Sequence, residues 1–270
     1  MKRRNQISLF SILVILLLLL SVGLKSDTNA LLRNYFDNKI KVEYPEDKQE
    51  NLGPITIDKE AMDSKSRSQY FGYLNDNYFD EDINISLLEE TDPYQNFSPL
   101  DELGRVGPAR ALIDESLMPK EERQDISKVK PTGFINKEYD FIGNKWLYNR
   151  CHLIGFQLTG ENANELNLMT GTRDFNVRGM LPFEDKVANY VKKGGKIYYV
   201  AIPDFREDEL VARGLNLKAI AVSDLDGNSK PDIEFNVYIY NRQPGVLIDY
   251  KTGESKKDIN QEGFVKSAFR

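Results

Sequence analysis

The apolar and polar positions divide the chain into three textures. Residues Ile7 to Leu24 are dominated by apolar side chains, with Leu16 to Leu20 unbroken, and Lys2-Arg3-Arg4 stands ahead of them. A helix over that run rises about 27 Å, close to the thickness of a bilayer core. Basic residues before such a run hold that end in the cytoplasm, so the remainder is expected outside the membrane. Thr28-Asn29-Ala30 offers the small residues that a signal peptidase prefers, so a cleaved leader is the alternative to an uncleaved anchor. The second texture, residues 27–93, has short apolar runs broken by Asn, Asp and Pro. It reads as a stalk or lead-in, with one short strand at Pro54-Ile55-Thr56-Ile57.

From Tyr94 the texture is globular. Gly104 to Ile113 suggests a strand with glycine punctuation, and Lys145-Trp146-Leu147-Tyr148 a second that leads into the histidine region. Pro182 to Lys193 predicts a helix. Proline suits its first position, Glu184 and Asp185 its first turn, and Phe183, Val187, Tyr190 and Val191 recur at helical spacing. Lys192-Lys193-Gly194 is its stop. Lys196 to Ile202 reads as a buried strand. Leu217 to Val222 and Ile233 to Tyr240 form a pair joined by the turn Asp226-Gly227-Asn228. Several strands with few helices among them, and no βα alternation, give an α+β fold.

Composition sharpens this in two ways. The chain has 270 residues, one cysteine and one histidine, which excludes an internal disulfide and any multi-histidine metal site. The net charge of −6 argues mildly against a nucleic-acid partner when taken whole. Divided by segment it does not. Residues 27–102 hold 7 basic against 18 acidic side chains, whereas residues 127–200 hold 11 basic against 7 acidic.

The single histidine lies in Tyr148-Asn149-Arg150-Cys151-His152-Leu153-Ile154-Gly155, followed by Asn162, Asn164, Asn167 and Asn176, with Glu184 eight residues further on. Histidine, amide oxygen, arginine and carboxylate suit metal-assisted phosphodiester hydrolysis. Neutral imidazole takes a proton near pH 7, a hard oxygen ligand holds Mg²⁺, and guanidinium grips phosphate. Each residue also has a plainer explanation. Asparagine often caps helices, a first-turn carboxylate is favoured by the helix dipole, and an arginine often pairs within the fold. Cys151 beside His152 suggests a thiol hydrolase, but neighbours on an extended segment point to opposite faces. Arg105, Arg110, Arg173, Arg178, Lys186, Lys192 and Lys193 read singly as solvated charges and jointly as a phosphate-tracking surface. Asp224-Leu225-Asp226-Gly227-Asn228 reads as a hairpin turn; it lacks the glycine placement and terminal Glu of a calcium loop.

The stretch Asn149 to Tyr190 resembles the DNA/RNA non-specific endonucleases of the ββα-metal (His-Me finger) type, in particular the branch with bacterial DNA-entry and secreted streptococcal nucleases. The Arg150-Cys151-His152 triplet matches that family's Arg-Gly-His or Arg-Ser-His signature, and Asn176 stands 24 residues after the histidine, where the family has its metal-binding asparagine. The likeness runs from about Leu103, through Met118 to Arg123, to Gln243-Pro244-Gly245 and Asp249-Tyr250-Lys251-Thr252-Gly253. Asn149 and Cys151 depart from the family's usual Asp and Gly or Ser, which bears on local geometry.

The resemblance implies a central antiparallel sheet flanked by helices, preceded here by the N-terminal transmembrane helix. It implies His152 as general base, Asn176 as the ligand of Mg²⁺ (with Mn²⁺ as a substitute), and Arg150 as the signature arginine. Asn167 would support the histidine or the metal shell, and Glu184 would lie near the metal's waters. DNA is the implied substrate, with RNA left open, as is an inhibitor protein; products would carry 5′-phosphates. The expected domains are an anchor or leader at 1–26, the lead-in at 27–93, a nuclease domain at 94–255 and a tail at 256–270. A catalytically silent surface protein that binds DNA on the same fold is the alternative.

Overall fold

The computed structural model describes residues 69–73, 85–228 and 230–259. The apolar run 7–24, the strand expected at 54–57 and the tail beyond residue 259 lie outside the described residues. Among the described residues no helix is long and apolar enough to cross a membrane.

β-branched, aromatic and alanine-rich stretches build a six-stranded antiparallel sheet. Its strands are β1 (Phe71–Tyr73), β2 (Tyr94–Phe97), β3 (Ala109–Ile113), β6 (Ile197–Asp204), β7 (Gly214–Ala221) and β8 (Glu234–Tyr240), in the order β1-β8-β7-β6-β3-β2. The expected pair of strands is β7 and β8, with Ile220 opposite Glu234 beside the Asp226-Gly227 turn. Both β6 and β7 are buried along their full length. The strand expected from Gly104 starts only at Ala109. Gly104 takes a left-handed conformation, and the Asp101 carboxylate accepts from the Leu103 and Arg105 amides, which turns the chain before Pro108. The sheet also reaches into the lead-in. β1, from within the acidic stretch, pairs with β8, and Phe71 meets Phe183 edge-on at 4.8 Å between centroids.

The expected helix is α3 (Leu181–Val191); α1 (Ile85–Glu90) and α2 (Phe156–Thr159) are short. Phe183, Val187, Ala188 and Val191 turn its apolar stripe into the core formed by Ala201, Leu217, Val237 and Ile239. Burial of the larger ones, such as Phe183, Val187 and Val191, contributes about 1.5–3 kcal/mol each. α3 is entered through a feature with no local sequence signal, a π-helical turn at Phe175–Met180. Gly179 lets that turn approach β8, since a Cβ there would lie 2.4 Å from a methyl of Ile239.

A separate two-stranded ribbon, β4 (Tyr148–His152) and β5 (Leu168–Thr172), precedes the π-turn. Two strands alone are marginally stable. Three asparagine amides hold this ribbon to its surroundings. Asn136 accepts from the Tyr148 amide at 2.8 Å and donates to its carbonyl at 3.0 Å. Asn167 does the same to Ile154, at 2.9 and 3.0 Å. Asn241 accepts from the Thr172 amide at 2.9 Å and donates to the carbonyls of Thr170 and Ala212 at 3.0 and 2.9 Å. The expected strand at Lys145–Tyr148 is limited to a single bridge, Trp146 to Glu138, and β4 proper begins at Tyr148. β9 (Val246–Ile248) and β10 (Ser255–Lys257) form a small hairpin beyond the sheet.

Candidate active site

Strand alternation sets the two faces of the ribbon. Cys151 and Met169 point into the apolar core, so His152 and Arg150 share the other face. His152 ends β4 and is 6% exposed. Its Nε2 lies 2.8 Å from the Asn162 carbonyl oxygen. A carbonyl only accepts, so Nε2 carries the proton and Nδ1 keeps its lone pair. Burial pushes the imidazole pKa below its ordinary 6.5; the Asn162 bond opposes that shift and the Arg123 charge adds to it. The ring is therefore neutral at pH 7, in one tautomer, with Nδ1 available as a base.

Asn167 is fully buried, and both ends of its amide are engaged with Ile154 two residues past His152. It fixes the exit of the strand and has no oxygen left for a cation. Arg150 is similarly committed. Its Nε donates to the Val129 carbonyl, Nη2 donates to that of Ser127 at 2.8 Å, and the guanidinium stacks 4.4 Å above the Phe134 ring. It holds the 127–134 loop over the ribbon.

Asn176 sits on the π-turn, half-buried, and its side chain makes no hydrogen bond among the described residues. π-turns within helices recur at functional sites. Its free amide oxygen is the kind of hard donor that Mg²⁺ or a similar cation takes. Glu184, in the first turn of α3, is buried beneath Gly155; a Cβ at Gly155 would stand 2.8 Å from a Glu184 oxygen. Burial, with the neighbouring Asp185 charge, pushes the Glu184 carboxyl up to about 7. A cation beside it would restore the ionised form.

Arg123 was not picked out by sequence reasoning as a site residue. Its charge acts on His152, Glu184 and Cys151 alike, which gathers the three around one point. Only its position in the Met118–Arg123 stretch signalled it. The Cys151 thiol is fully buried and pushed far up by desolvation, so it is no nucleophile at neutral pH. The cationic surface envisaged from sequence is reduced, because Arg110 is buried and Arg105 is tied to Asp101 and to the carbonyls of Glu207 and Glu209. The Asp224, Asp226 and Asp232 carboxylates lie within 4.8 Å of one another at the β7–β8 turn, where they accept from backbone amides.

A profile described as DNA/RNA non-specific endonuclease matches residues 86–222, half of the chain, and that span contains every residue of this site. The chain belongs to that family. A deoxyribonuclease of Streptococcus dysgalactiae subsp. equisimilis is 31% identical over 116 residues, 41% of this chain and 33% of the relative, so the chain spans about a third of that relative's length. Among solved structures, NucA from Streptococcus agalactiae with magnesium ion bound is 23% identical, with a TM-score of 0.60 over 70% of this chain and 89% of that chain. Sda1 nuclease with bound zinc ion is 22% identical, with a TM-score of 0.58 over 72% and 99%. At those identities the likeness is one of fold: a mixed α/β nuclease fold around an antiparallel sheet.

Proposed function

We propose that this nuclease is a divalent-metal-dependent endonuclease of the ββα-metal type, hydrolysing phosphodiester bonds of DNA with little sequence preference and leaving 5′-phosphates. RNA is the second substrate to test. The observation that carries the reading is the buried His152, held as one tautomer by the Asn162 carbonyl with Nδ1 unprotonated. Nδ1 takes the proton of the attacking water. Asn167 keeps the ring at the strand exit, and Arg150 acts by ordering the 127–134 loop. Asn176 is the side chain with an uncommitted oxygen for the cation, and Glu184 stands by as the buried carboxylate. The bound ion supplies positive charge against the phosphate and the departing oxygen. Mg²⁺ is favoured by the all-oxygen donors, with Mn²⁺ as a substitute.

The basic flank and apolar run at residues 2–24 support a tether with the catalytic domain outside the membrane. The nuclease domain in this reading includes 94–255, with β1 added from the lead-in.

The test is full-length protein on supercoiled plasmid and on RNA, with Mg²⁺ or with EDTA. Nicking in Mg²⁺ that stops in EDTA, and that falls about 10³-fold in His152→Ala, is expected. Activity that persists in EDTA would sink the metal-dependent mechanism. Wild-type protein that binds plasmid without cutting it would make the chain a DNA-binding module.

A further inference from the structure

The turn that carries Asn176 is held by residues outside the family match, which runs from 86 to 222. After β8 the segment Asn241-Arg242-Gln243 runs beside the end of β5. Thr172 Oγ1 donates to the Arg242 carbonyl at 2.7 Å and accepts from the Phe175 amide at 3.1 Å. Gln243, itself buried, accepts from the Asp174 amide through Oε1 at 3.0 Å. Amides in a helix's first turn have no partner within the helix. Here those of Asp174 and Phe175, the two residues before Asn176, each receive a fixed acceptor.

The second anchor comes from the lead-in. Arg178, two residues after Asn176, donates through Nη1 to the Tyr70 hydroxyl at 2.6 Å and pairs with the Asp174 carboxylate at 3.5 Å. Arg242 donates to the carbonyl of Gln69, which joins the two anchors to each other. Asn176 is thus bracketed on both sides by side chains tied to residues 69–70 and 241–243. A π-turn holds one residue more than an α-turn in the same loop of backbone, with Leu181 donating to the Asn176 carbonyl. Relaxation to α geometry would re-aim the Asn176 amide.

We infer that Gln243 is a positioning residue for this turn, setting the direction of the Asn176 amide by capping Asp174, with Tyr70 as the second anchor. The inference rests on Asn176 being the cation's protein ligand. Groups that orient a ligand in this way typically change metal affinity by about 10–100-fold when removed.

The test titrates Mn²⁺ into full-length protein, counting free ion by electron paramagnetic resonance well below the melting temperature. Gln243→Met keeps the side-chain length and removes the acceptor. It is expected to weaken Mn²⁺ binding about tenfold, with KM for plasmid within about twofold of wild type because substrate contacts are untouched. A purely structural role would lower the melting temperature and leave Mn²⁺ affinity unchanged, and that result would overturn the inference. Asn176→Ala is measured alongside. If it binds Mn²⁺ like wild type, the ligand assignment fails and the inference falls with it. If it binds weakly while Gln243→Met binds normally, the positioning role alone fails. Should Gln243→Met not fold, Tyr70→Phe carries the same test, with weakening of about threefold expected and unchanged affinity overturning it.

Discussion

The six-stranded sheet and the β4–β5 ribbon are both antiparallel, and they are held in place by different means. In the sheet, the eight-residue strands β6 and β7 pair along their whole length, and apolar side chains pack against α3. The ribbon has five residues per strand, and its surroundings grip it through the amides of Asn136, Asn167 and Asn241. Broad apolar burial tolerates small shifts, because many weak contacts share the load. Two-point amide contacts do not, because each fixes a donor and an acceptor together. The proposed chemistry lies on the part fixed most stringently, and the sheet serves as its foundation.

The sharpest way to break this comparison is one substitution in each region with similar cost in stability. Asn167→Leu leaves the amide and carbonyl of Ile154 buried and unpaired, a loss of about 3 kcal/mol. Leu217→Ala in β7 opens a cavity of comparable cost, about 3 kcal/mol. Per folded molecule, the ribbon variant is expected to lose about 100-fold in plasmid nicking, since small misplacements of a catalytic group cost that much. The sheet variant stays within about twofold of wild type. Urea melts and nicking rates on the same samples decide it. Equal activity in both variants would mean that the ribbon is no more exacting than the sheet.

Glu184 comes next in size. Its carboxyl is raised from 4.5 to about 7, so the folded state holds a proton that the unfolded state releases between those values. Folding stability therefore falls as pH rises from 4.5 to 7 and is level above. With each pKa unit near 1.4 kcal/mol, the loss is about 3 kcal/mol. In EDTA, Glu184→Gln is expected to remove that fall and to be the more stable protein at pH 8. A parallel pH dependence in the two proteins would show that the carboxylate is not the cause.

How much of this was legible beforehand follows the same division. Periodicity reports which faces are buried, so α3 and the β7–β8 pair were visible in the chain. His152 stands out as the single histidine, and the proposed role of Asn176 comes from the family resemblance, in which a metal-binding asparagine follows the histidine at that spacing. Periodicity cannot distinguish a π-turn from an α-turn, whose burial patterns nearly coincide over six residues. Nor does it register a buried asparagine that bonds to backbone far along the chain, as Asn241 does to Thr170 and Thr172. Arg150 matched a signature, yet its guanidinium is engaged by the Ser127 and Val129 carbonyls, contacts that exist only after folding. β1 was hidden for the opposite reason: three residues in an acidic stretch show no pattern until β8 supplies the partner.

A smaller effect concerns the histidine's own titration. A general base works only when unprotonated, so activity falls as pH drops through its pKa. Burial holds His152 below 6.5, and the acid limb of kcat/KM should therefore have its midpoint below that value. Arg123→Gln should move the midpoint upward, because the arginine's charge disfavours the imidazolium. A limb above 6.5 would contradict a desolvated base.

The smallest expected effect falls on the residue next to the base. Cys151 faces the core beside Met169 and Phe175, and a Cβ on Gly171, diagonally across the ribbon, would lie 2.5 Å from its sulfur. Cys151→Ala removes one buried sulfur and opens a small space, at a cost of about 1 kcal/mol. Nicking should stay within about twofold of wild type, because the ribbon's backbone bonds and the His152–Asn162 contact are untouched. Two adjacent positions would then differ by about a thousandfold in their importance to turnover, as the two faces of one strand require. Loss of activity in Cys151→Ala without loss of stability would instead assign the thiol a chemical role, which its complete burial argues against.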